Sequence, residues 1–304
     1  MIKVHSIVMT RNDDLIIDHW LEKHINVFDN IAVVDGSDGD FTENLCKKYG
    51  ILYTRDPEPT PERPFHEQYL REAAFNLLVD AGVMEVGDWV VCSMADEWYY
   101  HDPKKIVNSG VEPWANVISW NQLNILPHPS EKETFLSCAG DYNPTEIFKH
   151  FWVRDNYKTC FEPRMFKYTG TEVWTHMIPW CDNPVAGRIE PLSHNVKSSL
   201  VPTYFHYKVF DLDPEKYKDD GFGHFEKSRL NTGLGYAKAM APRTIETVDD
   251  LFFDEDNIYC NLGRDDDGGE YLHGYCIKIP DDGILESFTP YNNFANTPDL
   301  LLTV

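Results

Sequence analysis

The chain has 304 residues, with 50 acidic and 27 basic side chains and a formal net charge of −23. Such a field repels phosphate backbones and argues against nucleic acid as a partner. It leaves open a nucleotide bridged to carboxylates by a divalent cation. Hydrophobic residues at 42% and charged residues at 25% are ordinary for a globular chain, with room for one large α/β domain or a domain and an appendage.

No apolar run approaches the ~20 residues that cross a bilayer, so no membrane span is expected. Met1-Ile2-Lys3-Val4-His5 runs into a strand-like segment without the leader of a secretory signal. The seven cysteines are odd in number, and no two have a C-x-x-C spacing. A disulfide framework or zinc knuckle is not expected, and a reducing, cytoplasmic setting is.

Val4 to Met9 reads as a strand ending at Thr10-Arg11-Asn12. Asp13 and Asp14 read as the N-cap region of a helix through Phe28, with Leu15, Ile16, Trp20, Leu21, Ile25 and Phe28 at helical spacing. Ile31 to Val34 is a second strand ending at Asp35-Gly36-Ser37, followed by a helix through Tyr49 and a strand from Ile51 to Thr54. Four prolines, Pro57, Pro59, Pro61 and Pro64, break the chain before a helix from Phe65 to about Ala81. Trp89 to Cys92 is a fourth strand, ending at Ser93 to Glu97. Strand–helix alternation predicts a mainly parallel sheet with helices on both faces and a ligand site beyond the carboxyl ends of the strands. Every one of these strands ends in polar residues, which are expected to share one rim.

The stretch from about Asp102 to Tyr207 is rich in aromatics and prolines, and after Asp211 the composition shifts to acidic, glycine-containing loops. The expected organisation is a domain over residues 1–210 and a C-terminal extension over 211–304 with no readable role. Asp265-Asp266-Asp267-Gly268 lacks the alternating spacing and late glutamate of a calcium loop and reads as a solvated turn.

Asp96 and Glu97 follow an apolar run that is buried on both faces in a parallel sheet. Carboxylates at such a position are costly unless a cation is near. Mg²⁺ and Mn²⁺ take oxygen ligands and share phosphate oxygens, and either ion there neutralises a departing diphosphate. The alternative is a capped strand end with Glu97 in solvent.

Four segments in order resemble glycosyltransferase family 2. Val8-Met9-Thr10-Arg11-Asn12-Asp13 resembles its first-strand V-R-N-E, and Asp18-His19-Trp20-Leu21-Glu22-Lys23-His24 its E-W-L-x-x-H helix. Ile31 to Gly39 resembles V-D-x-G-S-x-D-G, and Asp88 to Trp98 resembles D-W-V-x-x-L-D-A-D-E-F. Pro163-Arg164-Met165-Phe166-Lys167 with Val173-Trp174-Thr175-His176, and Tyr204-Phe205-His206-Tyr207-Lys208, extend the likeness more thinly to about residue 210. One departure is plain: Met94 stands where the family carries the first aspartate of D-x-D.

The resemblance implies a GT-A fold and transfer of a sugar from a nucleotide-diphosphate donor to a glycan, protein or small-molecule hydroxyl. It implies Mn²⁺ or Mg²⁺ held by Asp96 and His206. Thr10, Arg11, Asn12 and Asp35 are expected in the nucleotide pocket, with Arg71 facing the cleft and Lys208 near the diphosphate. The base that deprotonates the acceptor is not at a recognisable position, and Glu172 and His176 are the nearest candidates. A non-catalytic glycan-binding or assembly protein is the alternative favoured by Met94. Sugar-phosphate nucleotidyl transfer ranks lower, because Met9-Thr10-Arg11-Asn12-Asp13 has no glycine-rich loop.

Overall fold

The computed structural model describes residues 2–37, 39–56, 67–125, 127–138, 143–154, 160–174, 189–190, 198, 200–207, 259–261 and 271–279. The elements up to the acidic turn are β1 (Val4–Thr10), α1 (Ile17–His24), β2 (Asn30–Asp35), α2 (Phe41–Tyr49), β3 (Leu52–Arg55), α3 (Glu67–Asp80) and β4 (Trp89–Met94). After it come β5 (Glu97–Tyr99), α4 (Pro103–Ser109), β6 (Val117–Ile125), α5 (Lys132–Ser137), α6 (Pro144–Ile147), β7 (His150–Arg154) and β8 (Cys160–Lys167). Short strands β9 (Val173–Trp174), β10 (Ile189–Glu190), β11 (Thr203–Tyr207) and β12 (Tyr259–Asn261) precede β13 (Tyr271–Lys278). The chain divides into two compact units. One holds the described residues within Met1–Gln122 and Cys160–Phe205, the other those within Leu123–Thr159 and His206–Leu285. Most of the expected 211–304 extension lies outside the described residues.

The expected α/β architecture is present in the first unit. Strands β3, β2, β1 and β4 lie side by side and parallel, with Thr10 opposite Asp35, Asp35 opposite Arg55 and Met9 opposite Met94. Their carboxyl ends therefore share one rim. Beyond β4 the sheet continues antiparallel through β8 to β6. Side chains alternate between faces. Ile7, Met9, Ala32, Val34, Val90 and Cys92 pack with Leu70, Ala74, Phe75 and Leu78 of α3. The alternate residues Val4, Val8, Val33 and Val91 are equally buried on the opposite face. Each such side chain contributes roughly 1.5–3 kcal/mol of burial.

The helix expected to reach Phe28 stops at His24. Val27 and Phe28 still bond back to the His24 carbonyl in a turn, and Phe28 stays buried by stacking on Trp20 and His24. A helical hydrophobic spacing thus runs past the helix itself. His24 is fully buried, its Nδ1–H donates to the Trp20 carbonyl, and Trp98 and Tyr99 meet it edge-on. Burial lowers its pKa to about 3, so it is a neutral core side chain. Helix α2 ends where a helix of this sequence should: Gly50 takes φ 68°, and its N–H reaches the carbonyls of Cys46 and Lys47.

In the second unit β7, β13 and β12 form an antiparallel ribbon. Glu131 clasps the connection before it: its carboxylate accepts from His128 N (2.9 Å), Lys149 N (2.6 Å) and His150 Nδ1 (2.8 Å).

Candidate active site

At the carboxyl rim β1 ends in a loop folded back on itself. Thr10 Oγ1 and Arg11 N both donate to Asp13 Oδ2, at 2.8 and 3.0 Å. Asp13 was expected to cap α1; its carboxylate instead ties the end of β1, and only its backbone carbonyl starts the helix, accepting from Ile16 and Ile17. Asn12 takes φ 55° and donates its N–H to Ser37 Oγ at 2.7 Å. Asparagine tolerates this left-handed conformation better than most side chains.

The end of β2 is held as firmly. Asp35 is fully buried, accepting from Ser37 N (2.9 Å) and the Tyr53 hydroxyl (3.1 Å). Arg55 then binds the loop from outside, donating to Tyr53 Oη (3.3 Å), Gly39 O (2.7 Å) and Asp40 Oδ1 (2.8 Å). The aliphatic stem of Arg11 lies over Gly36, 3.4 Å from where a Cβ would stand.

The turn after β4 presents two carboxylates in different states. Glu97 is 1% exposed, and its side chain turns inward. Oε2 accepts from Met94 N at 3.1 Å, and Oε1 pairs with Arg164 Nη2 at 2.6 Å. The solvated Glu97 considered from sequence is therefore replaced by a buried ion pair. Met94 packs against the α3-side core.

Asp96 is 6% exposed, and its charge acts on Asp13. Burial, and next the charge of Asp96, push the Asp13 carboxyl up to about 7; the Arg11 and Thr10 hydrogen bonds oppose this, and Asp35 adds a smaller push. Carboxylates from the ends of three parallel strands are thus close enough to feel one another. Such a field favours a cation. Among the described residues no group of three or more His, Cys, Asp or Glu side chains is arranged to hold a metal by itself. The donor set fits an ion bound through one or two carboxylates and completed by phosphate oxygens, a common arrangement for Mg²⁺-type ions.

Of the residues expected in the site, Thr10, Arg11, Asn12, Asp35 and Asp96 are brought to one rim, Asp35 beneath its surface. Arg71 is buried in the second turn of α3. That helix leads back to β4 at the far rim, so its first turns point toward the site. Glu172 is not brought there. Lys167 stands opposite Trp89, so the chain beyond it lies at the far rim, where Glu172 closes a turn by accepting from Thr169 N and Oγ1 and Gly170 N. His206 is buried on β11 and belongs to the second unit. His176 and Lys208 lie outside the described residues. Tyr53 and Arg164 were not singled out from the sequence, and Arg55 was read only as a polar strand end; their roles depend on strand pairing, and only the Pro163-Arg164-Met165-Phe166 segment carried a hint.

No protein-family model matches the chain, and no curated protein matches it. Solved structures do. A 4-diphosphocytidyl-2C-methyl-D-erythritol synthase is 10% identical over 55% of this chain and 76% of its own, with a TM-score of 0.33. Glucosyl-3-phosphoglycerate synthase from Mycobacterium tuberculosis, in complex with Mn²⁺, uridine-diphosphate and glucosyl-3-phosphoglycerate, is 16% identical over 45% of this chain, with a TM-score of 0.29. The match spans 49% of that chain, about half its length. An inositol-1-phosphate CTP transferase from T. maritima is 8% identical over 68% and 86% of the two chains, with a TM-score of 0.28. At these scores the likenesses carry no argument about activity.

Proposed function

We propose that the chain is a nucleotide-sugar-dependent glycosyltransferase, moving a sugar from a nucleoside diphosphate to a hydroxyl acceptor. The observation that carries this reading is the placing of Asp13, Asp35 and Asp96 at the carboxyl ends of neighbouring parallel strands, in segments that resemble the family in the same order. Asp96 is the residue that would hold Mn²⁺ or Mg²⁺, with Asp13 as its electrostatic neighbour. When bound, the ion supplies positive charge to the leaving diphosphate. Thr10, Arg11 and Asn12 form the wall on which the nucleoside rests. Asp35 acts through the loop it anchors rather than by contact, since it is fully buried. Arg71 adds positive charge from α3.

The test is thermal shift across nucleotide sugars with and without Mn²⁺, followed by product analysis. A donor that binds only the folded state at a hundred times its Kd adds about 2.7 kcal/mol of stability. Asp96→Asn is expected to remove the Mn²⁺-dependent part; full transfer by Asp96→Asn would overturn the assignment. Met94, packed into the core where the family has a carboxylate, favours a second reading as a non-catalytic nucleotide- or glycan-binding protein. Binding without any transfer or donor hydrolysis selects that reading.

A further inference from the structure

Glu97 and Arg164 have side chains 2% and 6% exposed and meet at 2.6 Å. Removing two full charges from water is costly, and an apolar pair of similar size would often be as stable. Stability is therefore a poor reason for this pair, and its geometry suggests another. Three elements converge on Glu97: its carboxylate accepts from Met94 N at the start of the turn, it pairs with Arg164 on β8, and its carbonyl accepts from Trp20 Nε1 of α1 at 2.7 Å.

Arg164 reaches it because β8 is irregular there. Against β6, Met165 stands opposite Ile118 and Pro163 opposite Ser119, so Arg164 is the extra residue of a bulge. Bulges re-aim a side chain. The guanidinium also lies over the Tyr204 ring, 5.5 Å from its centroid. Glu97 consequently does not replace the carboxylate missing at Met94; it is committed inward, and Asp96 is left as the turn's carboxylate toward the rim.

We propose that Glu97 and Arg164 are positioning residues, a buried pair that fixes the Met94–Glu97 turn so that Asp96 faces Asp13. The functional part of this inference rests on the reading of Asp96 as the cation-holding residue. The variants are Glu97→Gln, which keeps an acceptor for Met94 N, and the double variant Glu97→Gln with Arg164→Met, which leaves no unmatched buried charge.

Two readouts separate the claims. The first is Mn²⁺ binding in the presence of uridine diphosphate, followed by electron paramagnetic resonance. Asp96→Asn is expected to abolish binding, and the double variant to weaken it about tenfold while circular dichroism stays native. Wild-type affinity in a folded double variant overturns the positioning role. The second readout needs no ligand: the indole ¹H–¹⁵N signal of Trp20, which donates to the Glu97 carbonyl. A shifted signal in the double variant supports the proposal, and an unchanged one overturns it. Absence of Mn²⁺ binding in the wild type counts against the functional reading alone, and the Trp20 signal then decides the positioning claim.

Discussion

The two rims of the parallel sheet treat a carboxylate in opposite ways. At the amino rim Asp88 faces donors: Lys3 N (3.2 Å), Glu85 N (2.8 Å) and His5 Nε2 (3.3 Å). Asn30 Nδ2 donates to His5 Nδ1, which leaves the Nε2 proton for Asp88. That cluster sews β1, β2 and β4 together and is complete. At the carboxyl rim Asp13 has two donors but also faces the like charges of Asp96 and Asp35. The sheet is stabilised at one end and electrostatically loaded at the other. A loaded end is where a cation or a charged substrate gains most on binding.

The same substitution at the two rims should have effects of opposite sign. Asp88→Asn replaces one acceptor oxygen by a donor amide among donors and is expected to cost on the order of 3 kcal/mol in denaturant unfolding. Asp13→Asn mimics the protonated carboxyl and is expected to gain stability on the order of 3 kcal/mol at pH 8 and almost none at pH 4. Equal losses at both sites would remove the contrast.

A smaller effect sharpens it through pH. Burial lowers His24 to about 3 and His101 to about 4, below the ordinary 6.5, and lowers His5 in the same direction. The unfolded chain therefore binds protons there that the folded chain does not, and stability falls as pH drops below 6.5. Asp13 acts oppositely: its folded pKa of about 7 lies above the ordinary 3.8, so the stability it contributes is lost as pH rises through that window. Removing it in Asp13→Asn should steepen the rise of stability between about pH 4 and 6.5 by about 1.4 kcal/mol per pH unit.

Two loop changes should be smaller still. Asn12→Ala forces alanine to φ 55° and is expected to cost about 1 kcal/mol, measured by chemical denaturation. Gly36→Ala meets only the flexible Arg11 stem at 3.4 Å and should shift the melting temperature little. A large loss there would mean that the Arg11 stem cannot yield.

The parallel core was legible because its signals are local. Apolar runs ending in polar residues marked β1, β2 and β4. The place of Asp96 just after β4 was legible for the same reason. Asp13 was misplaced because a carboxylate after a strand suits a helix cap and a strand-end tie equally well, and only the loop geometry chooses. The ion pair of Glu97 was not foreseen, because its partner sits on a distant antiparallel strand. No local pattern announces a bulge, so nothing near Glu97 foretold Arg164. Glu172 lay near a family-like segment, yet the direction of β8 carries it to the far rim.

That bulge has a consequence for how the chain tolerates change. Along a strand, facing is a matter of odd and even positions, and one residue added or lost exchanges them. Arg164 reaches the acidic turn only because β8 carries an uncompensated count. A one-residue insertion or deletion beside Arg164 alters that count, and with it the side to which the arginine is presented. The charge balance of the turn depends on parity in a strand encoded far downstream.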